Sequence, residues 1–537
     1  MTTSTSNASV AVSPQGHAAT ERDAPPPPDR RRAPLSVPTH TLWSRFIILV
    51  LCLALVLSTL AFGTVHTWSL AVFQLGAGII VALWMVDAWR SRTLRLSRNP
   101  LQVPLVGLLL VGLLQLLPLA GAADLPPGAT RAVSFDPYAT RLVIIQLLSL
   151  LVYFAAALAF IDTPKRLRLV VRTLIIFGFL LALFALMQSF ISPNSIYWIR
   201  EPKQAQPFGP FINRHHFAAY MEMALALPLG LLFSGAVERD RMPLYGFAAL
   251  LMAVALMMTN SRGGILSLVA EVLFLTTLAL ARKRGRNGGS ERREAGARED
   301  GGRESRARAA LRSAMLGLAA VVVLFFSLLF FGGEESLSRL FGTVNAEDPT
   351  TGRAHFWAGT LDIIRDHPVL GTGLGAFAAV YTRYDTRGGQ MRLEQAHNDY
   401  LQLLSDAGIV GGLLGLFFVF ALFRMGLQRV ASHDKFRRGV ALGALTGCFA
   451  VLVHSFFDFT LHTIANALLF LVLAALATTG SNVEETPKRR RRRRAQRETA
   501  EPNGERETDT LQDGEAPHAE ALSGDAASGA QGASATN

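Results

Sequence analysis

Four short stretches place polar or ionisable side chains where long apolar runs begin or end. A charge at the centre of a bilayer costs at least ~2.5–3.5 kcal/mol and normally faces protein or water. From Glu394, EQAHNDYLQLLSDAGIVGG sets His397 and Asn398 at the head of an apolar helix and Gln402, Ser405 and Asp406 on its first turns. A histidine there can orient or deprotonate a hydroxyl near neutral pH. Gly408, Gly411, Gly412 and Gly415 follow, and glycines four apart predict close approach of a neighbouring helix. From Gly209, GPFINRHHFAAYMEM brings Arg214, His215 and His216 to the entry of another apolar run, with Glu222 two turns further on. A cation at a membrane mouth can hold an anionic head group; a snorkelling arginine beside an interfacial histidine pair is the plainer reading. TNSRGG, Thr259 to Gly264, is a short turn carrying Arg262. Its guanidinium matches phosphate or pyrophosphate, the structural alternative being an ion pair with Glu222. In HSFFDFTLHTIAN, His454, Asp458 and His462 recur every four residues. That spacing would suit zinc on an unbroken helix, but a hairpin near Asp458 and the lack of further ligands favour a hydrogen-bonded cluster.

The elements that must position these groups are membrane helices. Half of the 537 residues are hydrophobic and 17% are charged, which fits an all-α polytopic membrane protein rather than a soluble one. Apolar runs near residues 43–63, 68–88, 100–120, 141–161, 169–191, 214–235, 243–259, 263–281, 312–332, 398–423, 439–457 and 461–479 predict about twelve transmembrane helices. Cys52 and Cys448 both fall inside such runs and read as packed thiols, not a disulfide or metal pair.

The formal charge of +12 is distributed by loop. Arg90, Arg92, Arg95 and Arg98, then Lys165, Arg166 and Arg168, then Arg239 and Arg241, the basic loop 282–312, and Arg424 to Arg438 all fall on one side of the predicted spans. By the positive-inside pattern that side is cytoplasmic, and both termini with it. Residues 1–40 and 481–537 lack the apolar residues for a core and read as disordered tails around a membrane domain at 41–480. No cleavable signal precedes the first span. The basic segments read as solvated topogenic loops, and nucleic acid is not an expected partner.

On the opposite, periplasmic side three connections exceed what topology needs: Gly121 to Thr140, Ser192 to Asn213, and the long loop 332–397. The last contains GRAHFWAGTLDIIRDHP, where Phe356, Trp357, Leu361 and Ile364 predict an apolar helical stripe ended by Pro368. A small helical subdomain on the mouth of the bundle is expected. GTGLGAF, Gly371 to Phe377, looks like a nucleotide loop but lacks a strand and long helix to frame it, so glycine turns suffice.

Together these blocks carry a family likeness. His397-Asn398 followed by Gly408-x-x-Gly411 resembles the signature of the O-antigen ligase and O-antigen or exopolysaccharide polymerase superfamily. GPFINRHHFAAY, TNSRGGILSL, GRAHFWAGTLDIIRDHPVLGTGLGAF and HSFFDFTLHTIANALL resemble blocks of that family in the same order, over Phe208 to Leu476. The resemblance implies a GT-C-like bundle in the bacterial inner membrane with a periplasmic active site, needing no metal or cofactor. It implies an undecaprenyl-pyrophosphate-linked glycan as donor, and lipid A core or another lipid-linked repeat unit as acceptor. A chain-length regulator is the candidate protein partner. Arg214 and Arg262 would bind the pyrophosphate and His397 would activate the acceptor; Asn398, His215, His216, Glu222, Arg353, His454 and Asp458 would line the substrate. Where ligases of the family often carry Asn-Pro-Asn, this chain has Asn213-Arg214-His215-His216, which looks closer to exopolysaccharide polymerases. A flippase for lipid-linked sugars is the alternative from another class.

Overall fold

Three central helices, apolar on nearly every side, hold the bundle together. The computed structural model describes residues 41–119, 131–203, 205–291, 353–386 and 392–480, with side chains in the first long run of α8 described to residue 279. Thirteen α-helices lie within these residues: α1 Leu42–Leu60, α2 Thr67–Ser91, α3 Gln102–Gln115, α4 Pro137–Phe160, α5 Pro164–Ile191, α6 Arg214–Ser234, α7 Met242–Met258, α8 Arg262–Glu291, α9 Arg353–Asp366, α10 Phe377–Tyr381, α11 Asp399–Val430, α12 Lys435–His454 and α13 Ile464–Thr478. Among the described residues there is no strand, only isolated bridges at Ile196–Arg200 and Phe208–Phe211.

Eight of these helices are long and apolar enough to cross a membrane, and α3, α7 and α13 are shorter apolar helices. Helices occupy eleven of the twelve apolar runs expected to span, eight of them with the length of a span; the run at 312–332 lies outside the described residues, as do both tails, most of loop 282–312 and residues 332–352 and 387–391 of the loop 332–397. Helix α8 extends to Glu291, past the boundary expected at 281.

The helix starts follow from local chemistry. Asp136-Pro137 and Thr163-Pro164 pair a capping side chain with a proline at the first helical position, where the missing N–H costs nothing. Every residue of α13 is buried, as expected of a helix apolar on all sides. At 15 residues it is only ~22 Å long, and it need not reach lipid because other helices surround it. Arg437, almost fully buried, donates to Leu476 O at 3.0 Å and Thr479 O at 2.6 Å and so closes the C-terminal carbonyls of α13.

The closest helix approach lies between α6 and α12, not along α11. Gly439, Gly443 and Gly447, spaced by four, turn toward α6. A Cβ on Gly443 would lie 2.5 Å from Ala226 O, and one on Gly230 would lie 2.4 Å from Gly443 N. Backbone meets backbone there.

The glycines of α11 do something else, which corrects the packing role expected of them. Gly408 has φ 60°, ψ −160°, a region open essentially to glycine alone, and it interrupts the helix. Residues 368–375 fill the gap: Ile409 N donates to Pro368 O (2.8 Å), Thr372 N to Ser405 O (2.9 Å) and Gly373 N to Asp406 O (3.1 Å). Broken backbone inside a bundle must find such partners. Gln115 of α3 joins the loop to α11, donating to Leu370 O (2.6 Å) and Asp406 O (2.8 Å) and accepting from Leu374 N (2.9 Å). A Cβ on Gly411, Gly412 or Gly415 would meet side chains of α11 itself.

The polar face of α11 is occupied by the same arrangement. Gln402 accepts from Ala396 N (2.7 Å) and donates to Asp406 Oδ1 (3.1 Å), and Asp406 Oδ2 accepts from Gly375 N (3.0 Å). Those residues pack.

Helices α9 and α10 share a small core of Ile363, Phe377, Val380, Tyr381 and Ala396. The buried face of α9 runs through Gly359, Thr360 and Ile363. The expected stripe is therefore rotated: Leu361 is exposed, and Trp357 instead donates its Nε1 proton to Ala396 O at 3.1 Å. The helix stops at Asp366, just before Pro368.

Candidate functional site

The N-termini of α6, α8, α11 and α13 and the C-terminus of α12 meet at one end of the bundle, and the polar stretches meet with them. Asn213 caps α6 by accepting from His215 N at 2.9 Å. This fixes the first turn, so that His215 Nδ1 reaches Ser261 Oγ at 2.7 Å and ties the α6 entry to the turn carrying Arg262. The second half of the same turn rests on α12: a Cβ on Gly263 would lie 2.8 Å from the ring of His454, so only a glycine lets α8 start there.

The Arg262 side chain is exposed and makes no ion pair or hydrogen bond among the described residues. Its suggested partner Glu222 is fully buried and taken by His454, whose Nδ1 stands 2.6 Å from Glu222 Oε1. Arg214 is half-buried at the head of α6, its backbone N donating to Gln206 O at 2.8 Å.

His397 stands at the centre of the other half. Its backbone is left-handed, φ 51°, an uncommon state for a side-chain-bearing residue that marks strain held by its surroundings. The ring is 29% exposed. Nδ1 lies 3.2 Å from Asp458 Oδ1, which leaves Nε2 for another partner. Asp458 also accepts from Phe459 N at 2.9 Å, and Arg353, at the start of α9, stands 3.7 Å from its second oxygen. Arg353 further donates to Phe457 O. Burial opposes the charge on Asp458, but the hydrogen bond with His397 and the nearby rings of His215 and His216 together outweigh it, holding the carboxyl well below the usual carboxylate range. Phe459 packs edge-on to both His397 and His216, with ring centroids 4.9 Å apart in each case, and Phe356 lies 6.2 Å from His397 on a near-parallel plane.

Asp399, which sequence reasoning passed over, organises the hairpin beneath. Its oxygens accept from Ser455 Oγ (2.8 Å), Leu461 N (3.2 Å) and the ring of His462 at Nδ1 (2.8 Å). Burial alone would lower the proton affinity of His462; the hydrogen bond to Asp399 together with the charges of Asp399 and Asp406 outweighs burial and raises it. His454, Asp458 and His462 thus have three separate partners, Glu222, His397 and Asp399. The helix ends at His454, placing the hairpin where it was expected.

Three expected substrate contacts lie beneath the surface of the site. Asn398 is the N-cap of α11, accepting from Tyr400 N and Leu401 N at 3.0 Å each and donating to Phe456 O at 3.1 Å. Glu222 and His454 are shielded from solvent and bonded to each other. All three hold elements together: Asn398 through its cap and its bond to Phe456 O, Glu222 and His454 through the bond between Oε1 and Nδ1. His216 is likewise buried, with Nδ1 2.8 Å from Thr463 Oγ1. Asn466, another residue the sequence did not flag, donates to His216 O and Thr460 O at 3.1 Å.

Residues 247–416 match the family model described as O-antigen ligase. Over this stretch the chain is similar to the O-antigen ligase family. The match runs from α7 into the first half of α11 and includes Arg262, Arg353, His397 and Asn398. It is narrower than the resemblance over Phe208 to Leu476. Arg214, His215, His216, Glu222, His454 and Asp458 lie outside it, yet His215 and Asp458 make direct contact with residues of the O-antigen ligase region. No curated protein matches the chain.

Proposed function

We propose that this membrane protein is a metal-independent, inverting glycosyltransferase that uses an undecaprenyl-pyrophosphate-linked glycan at the periplasmic face of the bacterial inner membrane. The observation that carries the reading is the juxtaposition of the His397–Asp458 pair with the arginine-bearing helix starts at one end of the bundle. Arg262, with no acid on it among the described residues, is the cation for the donor's pyrophosphate, and Arg214 at the neighbouring helix start assists it. Asp458 holds the His397 ring with Nδ1–H toward the carboxylate and Nε2 toward the acceptor. In the transfer step the acceptor hydroxyl oxygen attacks the anomeric carbon, the carbon–oxygen bond to pyrophosphate breaks, and the lipid pyrophosphate leaves with the electron pair. The hydroxyl proton passes to His397 Nε2. Arg353, 3.7 Å from Asp458 Oδ2, helps hold the carboxylate in place.

The acceptor is either lipid A core or a second lipid-linked repeat unit. Loss of all polymer from lipid A core in a deletion strain marks ligation; accumulation of single repeat units marks polymerisation. The interrupted α11 is the one feature shared with carriers of lipid-linked sugars, but its freed backbone groups bond residues 368–373 rather than facing a ligand. Complementation of the deletion strain tests the enzyme reading: Arg262→Ala and His397→Ala, present in the membrane at normal level, should each fail to restore glycan product. Full restoration by both would overturn it.

A further inference from the structure

Below the site, the seam between α6, α8 and α12 contains polar groups that the transfer step leaves unused. On α8, Gly264, Ser267 and Glu271 share one face, and that face is turned to α6, since a Cβ on Gly264 would lie 2.9 Å from Ala218 Cβ. Both helices start at the same end, so Glu222, one turn inward of Ala218, is level with Ser267, which lies beside its carboxyl and donates to Gly263 O at 2.7 Å. Glu271 is one turn deeper, ~13 Å from the head of α8 at 1.5 Å per residue. On α12, Thr446 lies at the same depth, because its neighbour Gly447 backs onto Met223 O at 3.0 Å and Ala226 Cβ at 3.1 Å.

Glu222, Glu271 and Thr446 are all 0% exposed. Among the described residues, both oxygens of Glu271, Oε2 of Glu222 and Oγ1 of Thr446 have no hydrogen-bond partner. The charged groups facing the seam are Glu222 from α6, Glu271 from α8 and His454 from α12, while α7 contributes no Asp, Glu, His, Lys or Arg. Two ionised carboxylates against one imidazolium would leave an unpaired negative charge in the interior. An isolated buried carboxylate escapes that cost by taking a proton. The proton also supplies the missing donor: a carboxyl O–H can satisfy an acceptor on Glu222 or Thr446, where an ionised Glu271 offers acceptors alone.

We propose that Glu271 is a proton-binding site of the membrane domain, holding a proton at neutral pH beside the charged Glu222–His454 pair. The site stands whether or not the chain transfers sugar. The full-length protein in lipid nanodiscs, labelled with 13C-glutamate, is titrated by infrared spectroscopy through the carbonyl stretch of protonated glutamic acid. The wild-type protein should carry that band at about pH 7, well above the range where an exposed glutamate ionises near 4.3. Glu271→Gln should remove it. Glu222→Gln, which deletes the opposing charge, should leave the band and move its titration to lower pH. If Glu271→Gln does not accumulate, the wild-type band and its shift in Glu222→Gln decide. No band at pH 7, a band unchanged in Glu271→Gln, or a band lost in Glu222→Gln overturns the proposal.

Discussion

Replacing Gly408 with alanine should damage the fold far more than the same change at Gly415, although both lie in one glycine-rich run. At Gly408 an alanine must adopt φ 60°, ψ −160°, which costs of order 1–3 kcal/mol outside glycine. Its Cβ would also stand 2.3 Å from Val369 O and 2.4 Å from Val369 C. Both are backbone atoms held by the hydrogen bonds of residues 368–373, so they cannot swing aside, and overpacking adds about 1–3 kcal/mol. The sum, roughly 2–6 kcal/mol, is a large share of the 5–15 kcal/mol typical of a folded domain. At Gly415 the new Cβ meets only Leu403 Cδ2 at 2.9 Å, the end of a flexible side chain, and alanine in a helix gains up to about 1 kcal/mol over glycine. The free, buried cysteines Cys52 and Cys448 provide the assay: in a thermal ramp of detergent-purified protein, a thiol-reactive dye reports when they become accessible. Gly408→Ala should expose them at a clearly lower temperature than wild type, and Gly415→Ala at the wild-type temperature or above. Equal midpoints for the two variants would refute the account of the break in α11.

Three other changes probe the site and its frame. Asp458→Asn should lower the turnover number by about 10²–10⁴-fold, since it removes the group that fixes the tautomer and orientation of a general base, with the donor's KM little changed; a wild-type rate would remove Asp458 from the mechanism. His462 binds its proton more tightly when folded than the ordinary value of 6.5. Its contribution to stability is therefore complete below about pH 6.5 and is lost as pH rises through the raised folded value. In His462→Gln the decline in melting temperature above that pH should flatten, whereas an unchanged slope would contradict the Asp399–His462 assignment. Gly443→Leu should drive α6 and α12 apart and abolish membrane accumulation, since backbone of Ala226 and Leu227 lies within 2.9 Å of the added Cβ; normal levels would show that the seam is looser than the structure gives.

What was legible in the sequence was the periodicity and the punctuation. Apolar runs gave the helices and Pro368 the end of α9, whereas Asn213 and Asn398, which cap α6 and α11, were not read as caps. The polar blocks at helix ends also meet as expected, because alternating helix directions bring the ends of neighbouring spans together. The glycines were harder to read: a run such as Gly408 to Gly415 fits both a packing seam and a break, and only the partner loop distinguishes them. The real seam, Gly439-x-x-x-Gly443-x-x-x-Gly447, has the plainer signature and went unread because no chemistry drew attention to it. Asp399 was visible beside His397-Asn398, but its partners lie some 60 positions away, beyond local reasoning. The burial of Glu222, His454 and Asn398 depends on how α6, α11 and α12 rotate about their axes, which one amphipathic pattern cannot fix when all faces are apolar.

The most direct test of the account is chemical. Purified full-length protein is given a defined undecaprenyl-pyrophosphate-linked repeat unit together with each acceptor in turn, without added metal, and products are identified by mass spectrometry. The account predicts a new glycosidic bond with release of undecaprenyl pyrophosphate, lost in Arg262→Ala and in His397→Ala. Donor moved across a bilayer with no bond formed, or product formed equally by both variants, would contradict it.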